Sequence, residues 1–260
     1  MTLNLFKEKY GYEIAGMWLP RVTALITGAR KSFPLESEEG YPNSFVVRLG
    51  LMQAAAWGTL MHEAVETIVQ GKEYKPDAKI AIAIEAFREW HKEHPLRLLD
   101  SENDIERRVF DLKSGYAGTL DIIAEVQGKV SVIDVKTSTA ILSGHSLQTA
   151  AYLNAYNQSI DNGNVCEGRW ILRIDQYQEC KGCYAKKREK YGRARVAGGN
   201  PMCNHQWTRV KGEVEFKELK NQEKDLAAFF VAKRKWEEKQ QDWLAQIPNF
   251  PKNNRQAMLL

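Results

Sequence analysis

Residues 105–136 read IERRVFDLKSGYAGTLDIIAEVQGKVSVIDVK. Three short runs rich in Ile and Val, at 105–110, 117–126 and 130–136, are separated by Ser114-Gly115 and Gln127-Gly128, pairs that favour tight turns. This pattern predicts an antiparallel meander. Side chains alternate along a strand, so Asp134 and Lys136 share a face while Val135 points into the core. The turn at 127–128 returns one strand beside the other and brings Asp121 near Asp134.

Outward from the meander, the apolar period becomes helical. A helix capped by Asn43 or Ser44 runs to about Gln70 with Gly71 as its stop, and Asp77 begins a second helix ended by Pro95. Lys31 to Asn43, with Pro34, Gly40 and Pro42, reads as a loop. Thr23 is placed to cap a short helix over 24–29, and residues 1–19 read as an irregular lead-in. Downstream, 144–158 is helical, Gly168–Asp175 is a strand, and 213–246 is charged and helical with Trp236 and Trp243 a heptad apart. Helices, a strand meander, a helix and a strand imply an α/β fold, a mixed β-sheet flanked by helices. Three regions follow: a core over 1–175 with an N-terminal helical part, a Cys/His-rich basic segment over 176–212, and a C-terminal helix within 213–260 that packs on the core.

The 260 residues are 43% apolar and 27% charged, enough for a real core and unlike a disordered chain. The N-terminus lacks a signal-peptide pattern, and no apolar run approaches the roughly 20 residues of a membrane span. A cytoplasmic protein without a membrane partner is expected. The net charge of +4 hides an asymmetry: Cys180 to Lys211 holds nine Lys or Arg and one acid, Glu189, so this segment carries +8 and the remainder −4. Concentrated charge suits a polyanion, with Lys186, Lys187 and Arg188 as the densest run; the competing reading is a solvated loop. All four cysteines lie between 166 and 203. Cys180-x-x-Cys183 forms a metal knuckle that Cys203-x-His205 can close, giving four N/S ligands for tetrahedral zinc. Cys166 stands apart and reads as a small core residue.

Two carboxylates held together repel each other, and a hard divalent cation removes that cost. Asp121, Asp134 and the Val135 carbonyl form an oxygen set that suits Mg²⁺. Lys136 beside them can orient or help deprotonate a water, or neutralise charge on a phosphate. Asp-x-Lys alone is commonly a surface pair, so its surroundings decide.

Those surroundings are Gly118-Thr-Leu-Asp121, Asp134-Val-Lys136-Thr137-Ser138 and Gln148-x-x-x-Tyr152. They resemble the PD-(D/E)xK nuclease superfamily, in particular its RecB-like and phage-exonuclease branch, to which the CRISPR adaptation nucleases belong. Gly58-Thr-Leu-Met-His62 is similar to that branch's glycine-histidine helix. Leu19-Pro-Arg-Val-Thr23 is similar to its N-terminal signature, with Arg21 where serine is more usual. The resemblance spans about residues 19–175. It implies a restriction-endonuclease-like fold and Mg²⁺ or Mn²⁺ held by His62, Asp121, Asp134 and the Val135 carbonyl, with Lys136 catalytic. Gln148 and Tyr152 would support the site and contact DNA; being four apart, they share a helix face. Gly58, a turn before His62, would let its helix approach the sheet closely. Glu63 and Glu66 are candidates for an outer shell, and Glu106 could approach the metal from the preceding strand. Several RecB-like nucleases bind an iron–sulfur cluster with one cysteine before the core and three after it. This chain has none before 166, so such a cluster would have to use Cys166, Cys180, Cys183 and Cys203. The function implied is metal-dependent DNA cleavage, by an exonuclease of recombination, repair or phage replication. The alternatives are a non-catalytic nucleic-acid-binding protein and a nuclease acting on RNA.

Overall fold

A computed structural model describes residues 1–28, 45–160, 165–190 and 194–251, with the backbone alone over 45–53. The loop expected from Lys31 to Asn43, the cap at Asn43 or Ser44, and Gly192 lie outside the described residues. The chain forms helix α1 (Leu3–Tyr10), a hairpin of β1 (Gly11–Ile14) and β2 (Met17–Pro20), then α2 (Val22–Gly28), α3 (Phe45–Val69) and α4 (Ala81–Glu93). The meander follows as β3 (Ile105–Asp111), β4 (Tyr116–Val126) and β5 (Lys129–Lys136), then α5 (Ser143–Ser159) and β6 (Gly168–Glu179). The basic segment holds β7 (Lys186–Arg188) and β8 (Arg195–Ala197). The chain then continues as β9 (Lys211–Glu218), α6 (Gln222–Lys239) and α7 (Gln241–Leu244).

The mixed sheet has seven strands. β3, β4 and β5 run antiparallel as expected, β5 and β6 are parallel, and β9 joins β6 antiparallel. The ribbon β7–β8 prolongs the end of β6 through the pairs Gln178↔Lys187 and Glu179↔Lys186. The crossover from β5 to β6 is α5, as a parallel pair requires. At the β4–β5 turn, Gln127 and Gly128 have φ of +54° and +77°, the two left-handed positions of a tight hairpin.

Strand alternation divides the core into two layers. Leu120, Ile123 and Val132 pack with Phe6, Val22, Leu25, Tyr152, Phe229 and Trp236 from α1, α2, α5 and α6. Ile122, Ile133, Val135, Leu172 and Ile174 pack with Met61, Val65, Ile84 and Phe87 from α3 and α4. The sheet is therefore apolar on both faces and flanked by helices, consistent with a restriction-endonuclease-like α/β fold. The C-terminal helix packs on this core. Trp236 is buried there, Phe6 stacks on both Trp236 and Trp243, and buried Arg169 on β6 reaches Asp225 on α6 at 2.7 Å.

Four elements differ from expectation. Residues 1–19 are ordered: Thr2 Oγ1 caps α1 by accepting from the Leu5 amide at 3.3 Å, and Ala15-Gly16 (φ +49° and +76°) turns the hairpin. Both pieces are too short to display a period. Thr23 lies inside α2 rather than capping it. Helix α4 starts at Ala81, because the Asp77 carboxylate and carbonyl accept from the Lys79 and Ile80 amides and form a separate turn. Residues 211–218 are a strand: Val214 and Phe216 alternate with charges, and Phe216 stacks on Trp170 of β6. Among the described residues, no helix is long and apolar enough to cross a membrane.

Candidate metal centre

The β4–β5 register continues Ile122↔Ile133 to Asp121 opposite Asp134. Alternation slips at this point. Leu120 and Ile122, two residues apart, belong to different core layers, so the strand turns over between them. On the neighbouring strand the flanking pairs put Glu106 across from Asp121, and Glu106 has φ +48°. A non-glycine residue in that conformation is uncommon and concentrates at functional positions. Cross-strand register alone sets Glu106, Asp121 and Asp134 side by side.

Asp121 and Asp134 are both buried. Asp121 Oδ2 accepts from the Val135 amide at 2.6 Å. Lys136 Nζ forms an ion pair with Asp134 Oδ2 at 2.6 Å, and beyond this ammonium no donor reaches either buried Asp134 oxygen among the described residues. Burial is the main force pushing each carboxyl up to about 6, with Lys136 opposing it. Burial lowers the Lys136 pKa, but Asp134 and Asp121 outweigh this and raise it, so the side chain is an ammonium. That state suits charge neutralisation rather than removal of a proton from water.

His62 of α3 closes the site from the side. Its Nδ1 is 3.7 Å from Asp121 Oδ2 and 3.9 Å from Glu66 Oε1. Burial and Lys136 hold it below the usual histidine range, leaving the neutral imidazole that a metal takes. Glu66 is pushed up to about 8 by burial and by Glu106, and its Oε1 is buried facing His62. His62, Glu66 and Glu106 offer ligand atoms within 4.8 Å of one another. Buried carboxylate oxygens beside a neutral imidazole form a donor set that fits a hard divalent cation. Glu63 is exposed.

Gly58 differs from expectation. A Cβ there would meet only Thr137 Oγ1, at 3.9 Å. The close approach occurs instead at Gly118, where a Cβ would lie 2.3 Å from Tyr152 Cε1. The glycine lets the Tyr152 ring lie against β4 beside the carboxylates. Gln148 Nε2 donates to the Tyr152 hydroxyl at 3.0 Å, so these two residues do share a helix face. Arg21, where a serine is more usual in the resembling branch, donates to the Glu8 carbonyl at 2.7 Å and stacks on Tyr12, bracing the N-terminal hairpin.

No protein-family model matches this chain. It is 27% identical to human mitochondrial genome maintenance exonuclease 1 over 48% of this chain and 46% of that protein. The chain thus spans about half the length of this curated relative. A solved structure described as the crystal structure of SSO0001 aligns over 83% of this chain and 73% of that one, at 16% identity and a TM-score of 0.34.

A second cluster lies in the basic segment. Cys180, Cys183, Cys203 and His205 place their ligand atoms within 4.8 Å of one another, with Cys183 Sγ 3.4 Å from His205 Nδ1 and Cys180 Sγ 3.8 Å from Cys203 Sγ. Burial opposes ionisation of Cys180, but the Cys183 and Gly182 amides and His205 outweigh it and lower the thiol to about 6. Cys166 is elsewhere, buried in the first core layer with its backbone bonded to Asn157, and burial pushes its thiol up to about 12. The iron–sulfur alternative requires Cys166, and the geometry groups His205 with the other three cysteines instead.

Sequence reasoning missed the ion cluster beneath this segment. Buried Asp175 on β6 holds Lys190 at 2.5 Å, Arg188 at 2.9 Å and Arg173 at 3.4 Å. Arg188 was expected to face a polyanion; its guanidinium is buried against Asp175 and is not a surface charge. Lys186 and Lys187 are half-buried, with Glu213 at 3.5 Å and Glu189 at 3.0 Å respectively. Lys190 Nζ also donates to the Thr137 carbonyl at 2.7 Å, one residue beyond Lys136. No sequence period marks this contact.

Proposed function

We propose that this chain is a metal-dependent nuclease that hydrolyses phosphodiester bonds in DNA. The single observation that carries the reading is the buried pair of carboxylates, Asp121 and Asp134, with the Lys136 ammonium against it. His62, Asp121, Asp134 and the Val135 carbonyl would hold Mg²⁺ or Mn²⁺. Such an ion lowers the pKa of a bound water and stabilises charge on a phosphate oxygen. Lys136 neutralises charge that develops on the phosphoryl group, in a site dry enough for the effect to be large. Gln148 fixes the Tyr152 hydroxyl beside the carboxylates and lines the approach for the sugar-phosphate backbone. Similarity to an exonuclease over part of the chain supports the nuclease class, and cleavage from DNA ends in recombination, repair or phage replication is the role proposed. Zinc at Cys180, Cys183, Cys203 and His205 is proposed as a structural ion, because thiolates are soft ligands that Mg²⁺ does not take.

End-labelled single- and double-stranded DNA, and RNA of the same sequence, incubated with Mg²⁺, Mn²⁺ or EDTA, test this reading. Metal-dependent shortening of DNA from one end is expected. Cleavage of RNA alone would reassign the substrate. Binding without cleavage in any metal would favour a non-catalytic nucleic-acid-binding protein.

A further inference from the structure

The tip of the Cys/His knuckle exposes apolar side chains that the core does not explain. Tyr184 follows Cys183 and is 74% exposed; Met202 precedes Cys203 and is 88% exposed. The ligand atoms of Cys183 and Cys203 lie within 4.8 Å of each other, so the two side chains leave the same small platform. The loop packs down on that platform. A Cβ on Gly199 would meet Cys183 Sγ at 2.7 Å and Ala185 Cβ at 2.6 Å.

Tyr184 also has an unfavourable backbone. Its φ is +60°, a conformation that glycine or asparagine adopts easily and an aromatic residue rarely does. Its amide closes the knuckle by donating to the Cys180 carbonyl at 3.0 Å, a bond that any residue but proline could make. Neither packing nor backbone preference accounts for a tyrosine here. Scattered exposed apolar residues are ordinary. Two beside one Cys/His cluster, one of them in a strained conformation, are not.

Charge indicates what the platform meets. From Lys190 to Gly212 the chain contains no acidic residue. Lys181 and Arg209 are exposed on the two segments joined by the Cys180↔Trp207 bridge and by the Thr208 amide, which donates to the Glu179 carbonyl at 2.9 Å. Among the described residues neither has an ion-pair partner. Exposed rings flanked by cations suit unpaired nucleotides: bases stack on aromatic faces while phosphates meet the charges. In a duplex the base faces are already stacked on one another and unavailable.

We propose that the knuckle tip is a docking surface for single-stranded nucleic acid, with Tyr184 stacking on an unpaired base, Met202 packing beside it, and Lys181 and Arg209 on the flanking phosphates. The choice of polymer rests on the nuclease reading; the geometry of the tip does not.

The test measures equilibrium binding of the metal-loaded protein to an oligothymidine of about 12 residues and to a blunt duplex of equal length, in Ca²⁺ and across a salt series. Tyr184→Asn removes the ring and suits the left-handed backbone, so thermal stability and zinc content should hold. It should weaken single-strand binding by about 5- to 100-fold, leave duplex binding unchanged, and leave the salt slope unaltered. Tyr184→Phe keeps the ring and should bind as the native chain does. Lys181→Ala should reduce the salt slope by about 1. The proposal is overturned if Tyr184→Asn binds single strands as tightly as the native chain, if it weakens duplex binding equally, if Tyr184→Phe is as weak as Tyr184→Asn, or if the native chain does not bind the oligonucleotide. Cleavage is not the readout, so an inactive but tightly binding protein would contradict the nuclease reading and leave this one standing.

Discussion

At Asp134 the carboxylate is fully buried against the Lys136 ammonium, next to a second buried carboxylate at Asp121. Their pKa values rise from 3.8 to about 6, so the folded state holds these protons more tightly than the unfolded chain does. Stability of the metal-free protein is therefore lost as pH rises from about 4 through about 6. Asp134→Asn should abolish cleavage, yet at neutral pH the metal-free variant should hold its stability or gain up to about 2 kcal/mol, the gain shrinking as pH falls. Thermal unfolding of both proteins across that range checks the sign; a large loss at neutral pH would mean that Asp134 is a structural anchor. The same protons compete with metal. Mn²⁺ affinity, read by calorimetry, should increase as pH rises through about 6 towards about 8, where Glu66 also deprotonates. A pH-independent affinity would exclude these carboxylates as ligands. Gly118→Ala should displace Tyr152, because the added methyl meets its ring, and should cost roughly 1–3 kcal/mol in addition to activity.

The elements explain why some residues were legible and others were not. β4 and β5 could be read from local signals: Ile/Val runs, Gln127-Gly128, and a carboxylate at a fixed distance from each end of the turn. The grouping of the Cys-x-x-Cys pair with Cys203-x-His205 was equally legible, because short, fixed spacing brings such side chains together. β9 was misread because its alternating charges suit a solvated helix as well as a strand beside β6, where Glu213 and Glu215 meet Arg173. Arg188 was misread because charge counts do not register a partner thirteen residues away in the chain. The β7 arm is the consequence. Lys190 ties it to Asp175 and to the carbonyl of Thr137, linking the knuckle to the end of β5. Lys190→Met should keep the stem packed but release that carbonyl. We expect kcat to fall about tenfold or more with KM little changed, and Lys190→Arg to restore part of it. Equal changes in kcat and KM would mean that the arm acts on substrate binding instead. Removing zinc, or making His205→Ala, should loosen the arm and weaken DNA binding more than it alters metal affinity at Asp134. Elemental analysis of anaerobically purified protein should give about one zinc and no iron per chain.

Over the whole molecule, an acidic body carries one basic arm, which prolongs β6 and is tied back by Lys190 to the Thr137 carbonyl, one residue beyond Lys136. The sheet itself is ordinary, apolar on both faces with two helical layers; the site lies where alternation slips on β4, between Leu120 and Ile122. Asp121 and Asp134 stand out in the sequence because a turn fixes their spacing, whereas Glu66 and Glu106 approach them only through the packing of α3 and β3, which leaves no local signal. In the function proposed, the carboxylates and His62 hold the ion and Lys136 supplies the catalytic cation, so that binding and cleavage are separable. The most direct measurement follows Mn²⁺ binding and single-turnover cleavage of one end-labelled DNA by the native chain, Asp134→Asn and Lys136→Ala. The account predicts that the native chain binds and cleaves, Lys136→Ala binds the ion but does not cleave, and Asp134→Asn does neither. Cleavage by purified Asp134→Asn at the native rate, or Mn²⁺ binding undiminished in it, would contradict the account.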